Sequence, residues 1–215
     1  MKTVFYKYIR SYASYIHFAI FCMALLLIRI KWSQSLYFTF LLWNLFLASI
    51  PFVITTFLKA NIGWKNNRWL FLGSFVVWLL FLPNAPYILT DLMHLRLRTT
   101  MPTWFDALML SAFSLMGLLL GLASMSQMKQ LLRMHFSSFQ SSMLMGLVYF
   151  LCGYGIYLGR FLRWNSWDVI GHPFELLLSI AESLSNVQAW GITLGFGTLI
   201  AICSRFFSIN ESASH

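Results

Sequence analysis

WLFLGSFVVWLLFLPNAPYILTDLMHLRLR, residues Trp69–Arg98, is an apolar run that is interrupted at Pro83–Pro86. As a helix, the apolar part before the interruption would rise only about 21 Å, which is short of the roughly 30 Å hydrocarbon core of a bilayer. The residues after the prolines must therefore complete the crossing. The sequence predicts a membrane-spanning helix that is broken at Pro83–Pro86.

The two prolines remove two backbone donors from this helix. They also bias the preceding residues, Leu82 and Ala85, away from helical dihedral angles. The carbonyl groups of the segment must then find partners in protein or water. Because irregular backbone at membrane depth is tolerated only where it is buried in protein or lines a cavity, the break predicts where a site lies without giving its chemistry.

The composition excludes a water-soluble domain of this size, since 59% of the residues are hydrophobic, 10% are charged and the mean hydropathy is +0.71. A net charge of +9 would suggest a nucleic-acid partner in a soluble protein. Here the basic residues stand singly or in pairs between apolar runs, so we expect no nucleic acid as partner. Cysteines inside predicted spans are expected to be small buried side chains.

Charge-free apolar stretches predict an all-α fold, a polytopic bundle of six transmembrane helices with the third one broken. We expect a single membrane domain over residues 1–215, with a short cytoplasmic N-terminus at 1–11 and an outer interfacial segment at 159–186. The predicted spans are Tyr12–Ile30, Leu36–Leu58, Trp69–Leu97, Trp104–Met125, Phe139–Leu158 and Val187–Phe207.

The distribution of basic residues predicts the orientation. Nine lie on the side of both predicted termini and six on the other side, which favours cytoplasmic termini. The nine are Lys2, Lys7, Arg10, Lys59, Lys65, Arg68, Lys129, Arg133 and Arg205. The acids Asp91, Asp106, Asp168, Glu175 and Glu182 all fall on the outer side, with Glu211 on the inner side. At the start of its span, Asp106 is explained by the helix dipole alone.

The residues after the break form the first candidate site. If helix resumes there, Asn84 is a natural N-cap. Asp91 and His94 are three residues apart and would share a helix face. A histidine oriented by a carboxylate is a sensible general base, so Asp91 and His94 are the candidate catalytic pair and Asn84 and Tyr87 candidate binding residues. The alternative is structural: Asn84 caps, and Asp91 pairs with an arginine of a neighbouring helix.

A second candidate site follows the fifth span, in GIYLGRFLRWNSWD, residues 155–168. Arg160 and Arg163 lie among tryptophans and would bind an anion, because the guanidinium fork suits phosphate or carboxylate. Asn165 and Asp168 complete the candidate binding residues, although Asp168 would neutralise an arginine by pairing with it. The alternative is an interfacial aromatic belt with arginines extended to the headgroups.

We expect Asp91 and Arg160 to converge near the outer surface.

A metal site is the remaining possibility. Asp91, His94, Asp168 and His172 together could ligate zinc. No recognised metallohydrolase spacing occurs, and the clustered arginines would repel a cation. The sequence therefore predicts no metal and no cofactor.

Three strings carry a family resemblance: WNLFLASIP (residues 43–51), FLPNAPYILTDLMHL (residues 81–95) and GIYLGRFLRWNSWD. They resemble the bacterial integral membrane family known as domain of unknown function 1361, and the likeness runs from about Leu36 to Phe207. The resemblance implies a bacterial cytoplasmic-membrane protein with one membrane domain. It implies no activity and no catalytic residues.

Three classes of function remain open. An outward-facing polar site would bind or process an anionic envelope lipid, with membrane lipid as the partner. A small transporter would use the broken helix, but such carriers carry internal repeats and the PNAP break has no counterpart in the second half. A non-catalytic scaffold would use the polar cluster only for packing or for binding a partner. Nothing in the sequence indicates an oligomeric state.

The orientation is tested by reporter fusion. Alkaline phosphatase fused after Arg98 should be active, because this loop is expected outside, whereas a fusion after Arg133 should be inactive. Activity in the reverse pattern would place the acidic face in the cytoplasm.

Overall fold

The computed structural model describes residues 2–95 and 102–213. In this part of the chain the regular elements are helical, and no strand occurs. The α-helices are α1 (Lys2–Ser33), α2 (Phe40–Ala60), α3 (Ile62–Asn66), α4 (Arg68–Phe81), α5 (Asn84–Tyr87), α6 (Thr103–Leu132), α7 (Ser138–Arg160), α8 (Asp168–Gly171), α9 (Pro173–Ser183) and α10 (Val187–Ala213); Tyr37–Thr39 and Ile88–His94 are 3₁₀ helices.

Six helical stretches of the described chain are long and apolar enough to cross a membrane. They are Tyr12–Ser33, Tyr37–Ala60, Arg68–Met93, Thr103–Leu132, Ser138–Arg160 and Val187–Ser208. The predicted all-α bundle with a broken third span is confirmed, and the chain is a multi-pass membrane protein. The end of α7 and the start of α10 lie at what we call the site end. The start of α1 and the end of α10 lie at the opposite end, which we call the terminal end.

Some residues of the sequence-based predictions fall outside the described part of the chain. Arg96, Leu97 and Arg98 are not described at all, so the predicted end of the third span at Leu97 lies outside the described residues. For Lys2, Lys7, Arg10, Lys65, His94 and Glu211 the side chain is not described.

Helix α6 is the centre of the bundle. Of its most apolar spanning window 72% is buried, against 22–33% in the other five spans. It packs against α1, α2, α5, the 3₁₀ helix Ile88–His94, α7 and α10. A span that is surrounded by protein carries polar side chains at less cost than one that faces lipid, provided they are paired. Ser124 is an example, because it accepts a hydrogen bond from Trp78 Nε1 at 2.7 Å.

Two apolar clusters lie on either side of the broken helix. One joins α1, α2 and α6 and includes Ala85 and Ile88. The other joins α4, α6, α7 and α10 and includes Leu82, with Tyr87 packed against it. The break is thus buried in protein, as expected for irregular backbone at membrane depth.

The backbone of the break stays in the right-handed helical region, contrary to the expectation for residues that precede proline. Leu82 has φ −55° and ψ −40°, and Ala85 lies within α5. Ala85 N donates to Leu82 O at 3.1 Å, which is the i, i+3 spacing of a 3₁₀ turn. The backbone therefore tightens at the break instead of extending. The local preference of pre-proline residues is small, and close packing from two helices overrides it.

Glycines of α6 and α7 provide this close packing. A Cβ atom at Gly117 would lie 2.8 Å from Ala85 O, and one at Gly121 would lie 2.8 Å from Ala85 Cβ. On the other side a Cβ atom at Gly155 would collide with the ring of Pro83. Two pairs of glycines spaced four residues apart, Gly117/Gly121 and Gly155/Gly159, therefore pack against the broken helix. Such pairs allow backbones to approach closely in membranes.

Gly117→Ala is expected to destabilise the protein by about 1–3 kcal/mol, because the new methyl group overpacks the contact with Ala85. Gly146→Ala is the matched control: it changes another helical glycine whose Cβ would meet nothing within 4 Å. That variant should be neutral or gain up to about 1 kcal/mol from helix propensity. Thermal unfolding in detergent measures both, and equal stability of the two variants would contradict the close-packing account.

Candidate functional site

Asp91 is the centre of a polar cluster at the site end. The residue is only 1% exposed, and its Oδ2 accepts a hydrogen bond from Asn44 Nδ2 at 2.7 Å. Its Oδ1 lies 3.6 Å from Arg160 Nη1. The 3₁₀ helix Ile88–His94 thus meets α2 and the end of α7 at one carboxylate. The expected convergence of Asp91 with Arg160 is present in the fold.

Arg160 contacts Asp91 as an ion pair rather than by a direct hydrogen bond, because 3.6 Å exceeds the usual N–H···O distance. Its side chain is 17% exposed, so the guanidinium reaches the surface while Asp91 does not. The guanidinium carbon also lies 6.0 Å from the ring centroid of Tyr87, at the limit of a cation–π interaction. Arg160 therefore connects the buried carboxylate to the outer rim of the cluster.

Both oxygens of Asp91 have partners within the protein. Asn44 of α2 hydrogen-bonds across helices, with Asp91 as its acceptor. A carboxylate held in this way orients its neighbours, and its burial leaves little room for a substrate atom. The catalytic role of Asp91 and His94 stays a prediction, because the His94 side chain lies outside the described residues.

Asn84 is not the helix cap that the sequence suggested. Helix α5 already includes it, and the preceding Pro83 forms no side-chain cap. Asn84 Nδ2 donates instead to Phe81 O at 2.9 Å and to Ser166 Oγ at 3.0 Å. Ser166 Oγ in turn donates to Leu80 O at 2.8 Å. Two carbonyl groups of the turn before Pro83 thus receive side-chain donors.

Sequence reasoning missed Ser166 as part of this network. Because proline has no backbone N–H, the sequence indicated that other groups must donate hydrogen bonds to carbonyls near the break. Only the fold shows that the turn after α7 supplies it.

Helix α7 ends at Arg160. Arg163 has φ 63°, a left-handed conformation that costs a non-glycine residue roughly 1–2 kcal/mol. Beyond it, Trp164 N donates to Leu158 O at 3.1 Å and closes the turn. The chain therefore reverses direction after Arg160. Arg163 is exposed, and Trp164 is half-buried.

Asp168 does not neutralise Arg163, contrary to the expectation. Its Oδ2 accepts hydrogen bonds from Asn165 N at 2.7 Å and from Asn165 Nδ2 at 3.1 Å. Among the described ion pairs none involves Arg163. The ring of Trp167 lies 6.3 Å from that of Trp43 at the start of α2. The turn after α7 is thus attached to the rest of the site end by aromatic and amide contacts.

Of the residues considered for zinc, Asp91, Asp168 and His172 have separate partners. His172 Nδ1 lies 3.6 Å from Glu175 Oε2, and both side chains are exposed. In the described part of the chain, no group of three or more His, Cys, Asp or Glu residues could hold a metal ion. The absence of a cofactor stays a prediction.

A second buried ion pair lies at the same end and was missed from the sequence. Arg29 Nε contacts Asp106 Oδ1 at 2.5 Å, and Arg29 Nη2 contacts Oδ2 at 3.2 Å. Both side chains are 4% exposed, and the guanidinium lies 5.2 Å from the ring centroid of Phe38. The helix dipole alone is therefore not the explanation for Asp106: it forms a bidentate pair that ties α1 to α6. The sequence did contain a signal for this pair: one basic residue, Arg29, and one acidic residue, Asp106, lie near the same end of two predicted spans.

The fold and this site define a multi-pass helical membrane protein with a buried polar cluster beside a proline-broken helix. Residues 43–203 match the protein family of unknown function DUF1361, and the chain belongs to that family. The matched region contains all the candidate site residues. No curated protein and no solved structure matches the chain.

The coupling of Asp91 to Arg160 is tested by a double-mutant cycle. Asp91→Asn should lower the free energy of unfolding by about 3–5 kcal/mol, because it leaves a partly buried guanidinium without its carboxylate. The double variant Asp91→Leu/Arg160→Met should recover much of this loss. Thermal unfolding of Asp91→Leu, Arg160→Met and the double variant gives the coupling energy. Losses that add to within about 0.5 kcal/mol would mean that the two side chains do not interact.

Proposed function

We propose that this protein binds the headgroup of an anionic lipid at its site end, in a bacterial cytoplasmic membrane with both termini in the cytoplasm. The orientation rests on the excess of basic residues at the terminal end. In this orientation the headgroup belongs to the outer leaflet.

The observation that carries the proposal is the position of Arg163. It is exposed and lies three residues beyond the end of α7, between a helix end and two tryptophans, Trp164 and Trp167. Tryptophan is enriched at the level of the headgroups, so Arg163 lies at the depth of lipid phosphates. A guanidinium binds phosphate with two parallel hydrogen bonds.

The neighbouring carboxylate supports this assignment. Asp168 is the acid nearest to Arg163 in the sequence, and it accepts both the backbone and the side-chain N–H of Asn165. These bonds hold Asp168 in the turn. Arg163 is therefore a cation presented to the membrane surface by a turn of fixed shape.

The Asp91 cluster supports the proposal through its structural role. Asp91 is buried and has partners within the protein on both oxygens. In the proposed function this cluster is a rigid support. It holds the end of α7, and with it the turn that contains Arg163, against α2.

A scaffold is the second candidate function, and the same burial of Asp91 favours it. If the protein is only a scaffold, the native chain should retain no enriched anionic lipid, and Asp91→Leu/Arg160→Met should fold with the same lipid content. If Arg160 also contributes to the lipid site, this variant should fold and lose anionic lipid. Mass spectrometry of co-purifying lipid separates the two results.

Arg163→Gln should reduce the enrichment of anionic over zwitterionic lipid by roughly tenfold or more, since a hydrogen bond to a charged group contributes about 1.5–3 kcal/mol. Arg133→Gln is the matched control, because Arg133 is exposed at the terminal end. The measurement is quantitative mass spectrometry of lipids retained by the purified protein. Equal lipid profiles for Arg163→Gln and the native chain would contradict the proposal, as would an equal loss in the control.

A further inference from the structure

A cavity of about 210 Å³ lies between the broken helix, α7 and the segment α8–α9. Its walls are mostly apolar and include Leu151, Leu158 and Leu176. Polar groups without formal charge line it as well, from Asn84, Asn165 and Ser166. The cavity is separate from the Asp91 cluster, since neither Asp91 nor Arg160 lines it. Its combination of apolar and neutral polar groups suits an uncharged polar group attached to a hydrocarbon.

A second cavity of about 330 Å³ lies between α7, α10 and the end of α9. Its lining is almost entirely apolar and includes Phe150, Leu184 and Trp190. Leu151 and Tyr154 of α7 line both cavities, which are therefore neighbours along one strip of that helix.

The sizes of the two cavities, and their order along α7, point to an elongated ligand. At about 210 Å³ the first is smaller than the roughly 300–1,000 Å³ of typical small-molecule sites, so it holds only part of such a ligand. The second continues with apolar walls. A compact polar solute would use only the first cavity, whereas an acyl chain with an ester group at one end matches both in order.

The surroundings favour a lipid over a protein partner. Phe174, Leu177 and Leu178 of α9 are 61–80% exposed, and this helix connects the site ends of two spans. Apolar side chains at that level contact the boundary between headgroups and acyl chains. Both cavities thus lie beside a helix whose exposed face is apolar, since Leu176 of α9 lines the first and Ser183 the second.

We propose that these two cavities bind one acyl chain of a glycerolipid, with the ester group in the first cavity and the chain passing Leu151 and Tyr154 into the second. Asn165 has two amide hydrogens, and one is donated to Asp168. The other serves the ester carbonyl. The inference rests on the proposed function for the headgroup: Arg163 directly precedes Trp164, which lines the first cavity, so phosphate at Arg163 places the ester beside it.

The test uses the full chain in nanodiscs of phosphatidylcholine that contain a phosphatidylglycerol with a diazirine on one acyl chain. After irradiation, the labelled peptides are identified by mass spectrometry. Labels should map to residues 147–158 and to α9. Val169→Trp should reduce this labelling roughly tenfold, the change expected when about two methylene groups lose their burial. Val169 lines the first cavity and is 38% exposed.

Ile170→Trp is the matched control, because Ile170 is 87% exposed and does not line either cavity. It should leave the labelling unchanged. Labels that are insensitive to Val169→Trp, or that map only to other faces of the bundle, overturn the inference. If Val169→Trp fails to fold, unlabelled phosphatidylglycerol is added to the native chain. Saturable competition at these peptides supports the inference, and non-saturable labelling overturns it.

The two proposals fail in different ways. Cavity labelling by a phosphatidylcholine probe that equals labelling by phosphatidylglycerol, and is unchanged in Arg163→Gln, supports the chain site and overturns the anionic headgroup. Anionic lipid enrichment that depends on Arg163 without labelling of the cavity peptides overturns the chain site alone.

Discussion

The structure depends on satisfying backbone carbonyls at a double proline within an apolar span. In hydrocarbon each unsatisfied polar group costs several kcal/mol, and Pro83 and Pro86 remove two donors within one turn. Within the break, Ala85 N donates to Leu82 O, and Asn84 and Ser166 donate to Phe81 O and Leu80 O. Because Ser166 belongs to the turn after α7, the conformation of that turn and the geometry of the break stabilise each other.

Burial of the break requires neighbours that approach without side chains. Glycines of α6 and α7 meet Ala85 and Pro83 from two sides, and the tight helical path through the prolines follows from that confinement. The same packing brings the end of α7 beside the 3₁₀ helix Ile88–His94. Arg160 therefore reaches Asp91, and the polar cluster forms at a place that the apolar contacts define.

Two buried ion pairs at one end of the bundle hold it together in different ways. The bidentate pair of Arg29 with Asp106 is enclosed and ties α1 to the central α6. The looser pair of Arg160 with Asp91 extends to the surface. A buried pair is weak evidence for added stability, but removal of one partner leaves a costly charge. The first pair is enclosed in the bundle, whereas the second adjoins the turn that carries Arg163.

The sequence alone determined that this is a multi-pass helical membrane protein with a broken third span, because apolar length and proline position act through the local backbone and the solvent. It also identified Asp91 and Arg160 as residues at one depth. Only the tertiary structure decided which side chains meet across the bundle: Asn44 donates to Asp91, and Arg29 pairs with Asp106. It corrected the role of Asn84 as well. Pairing across spans depends on how each helix is rotated and which neighbours it has, and packing between surfaces distant in sequence sets both.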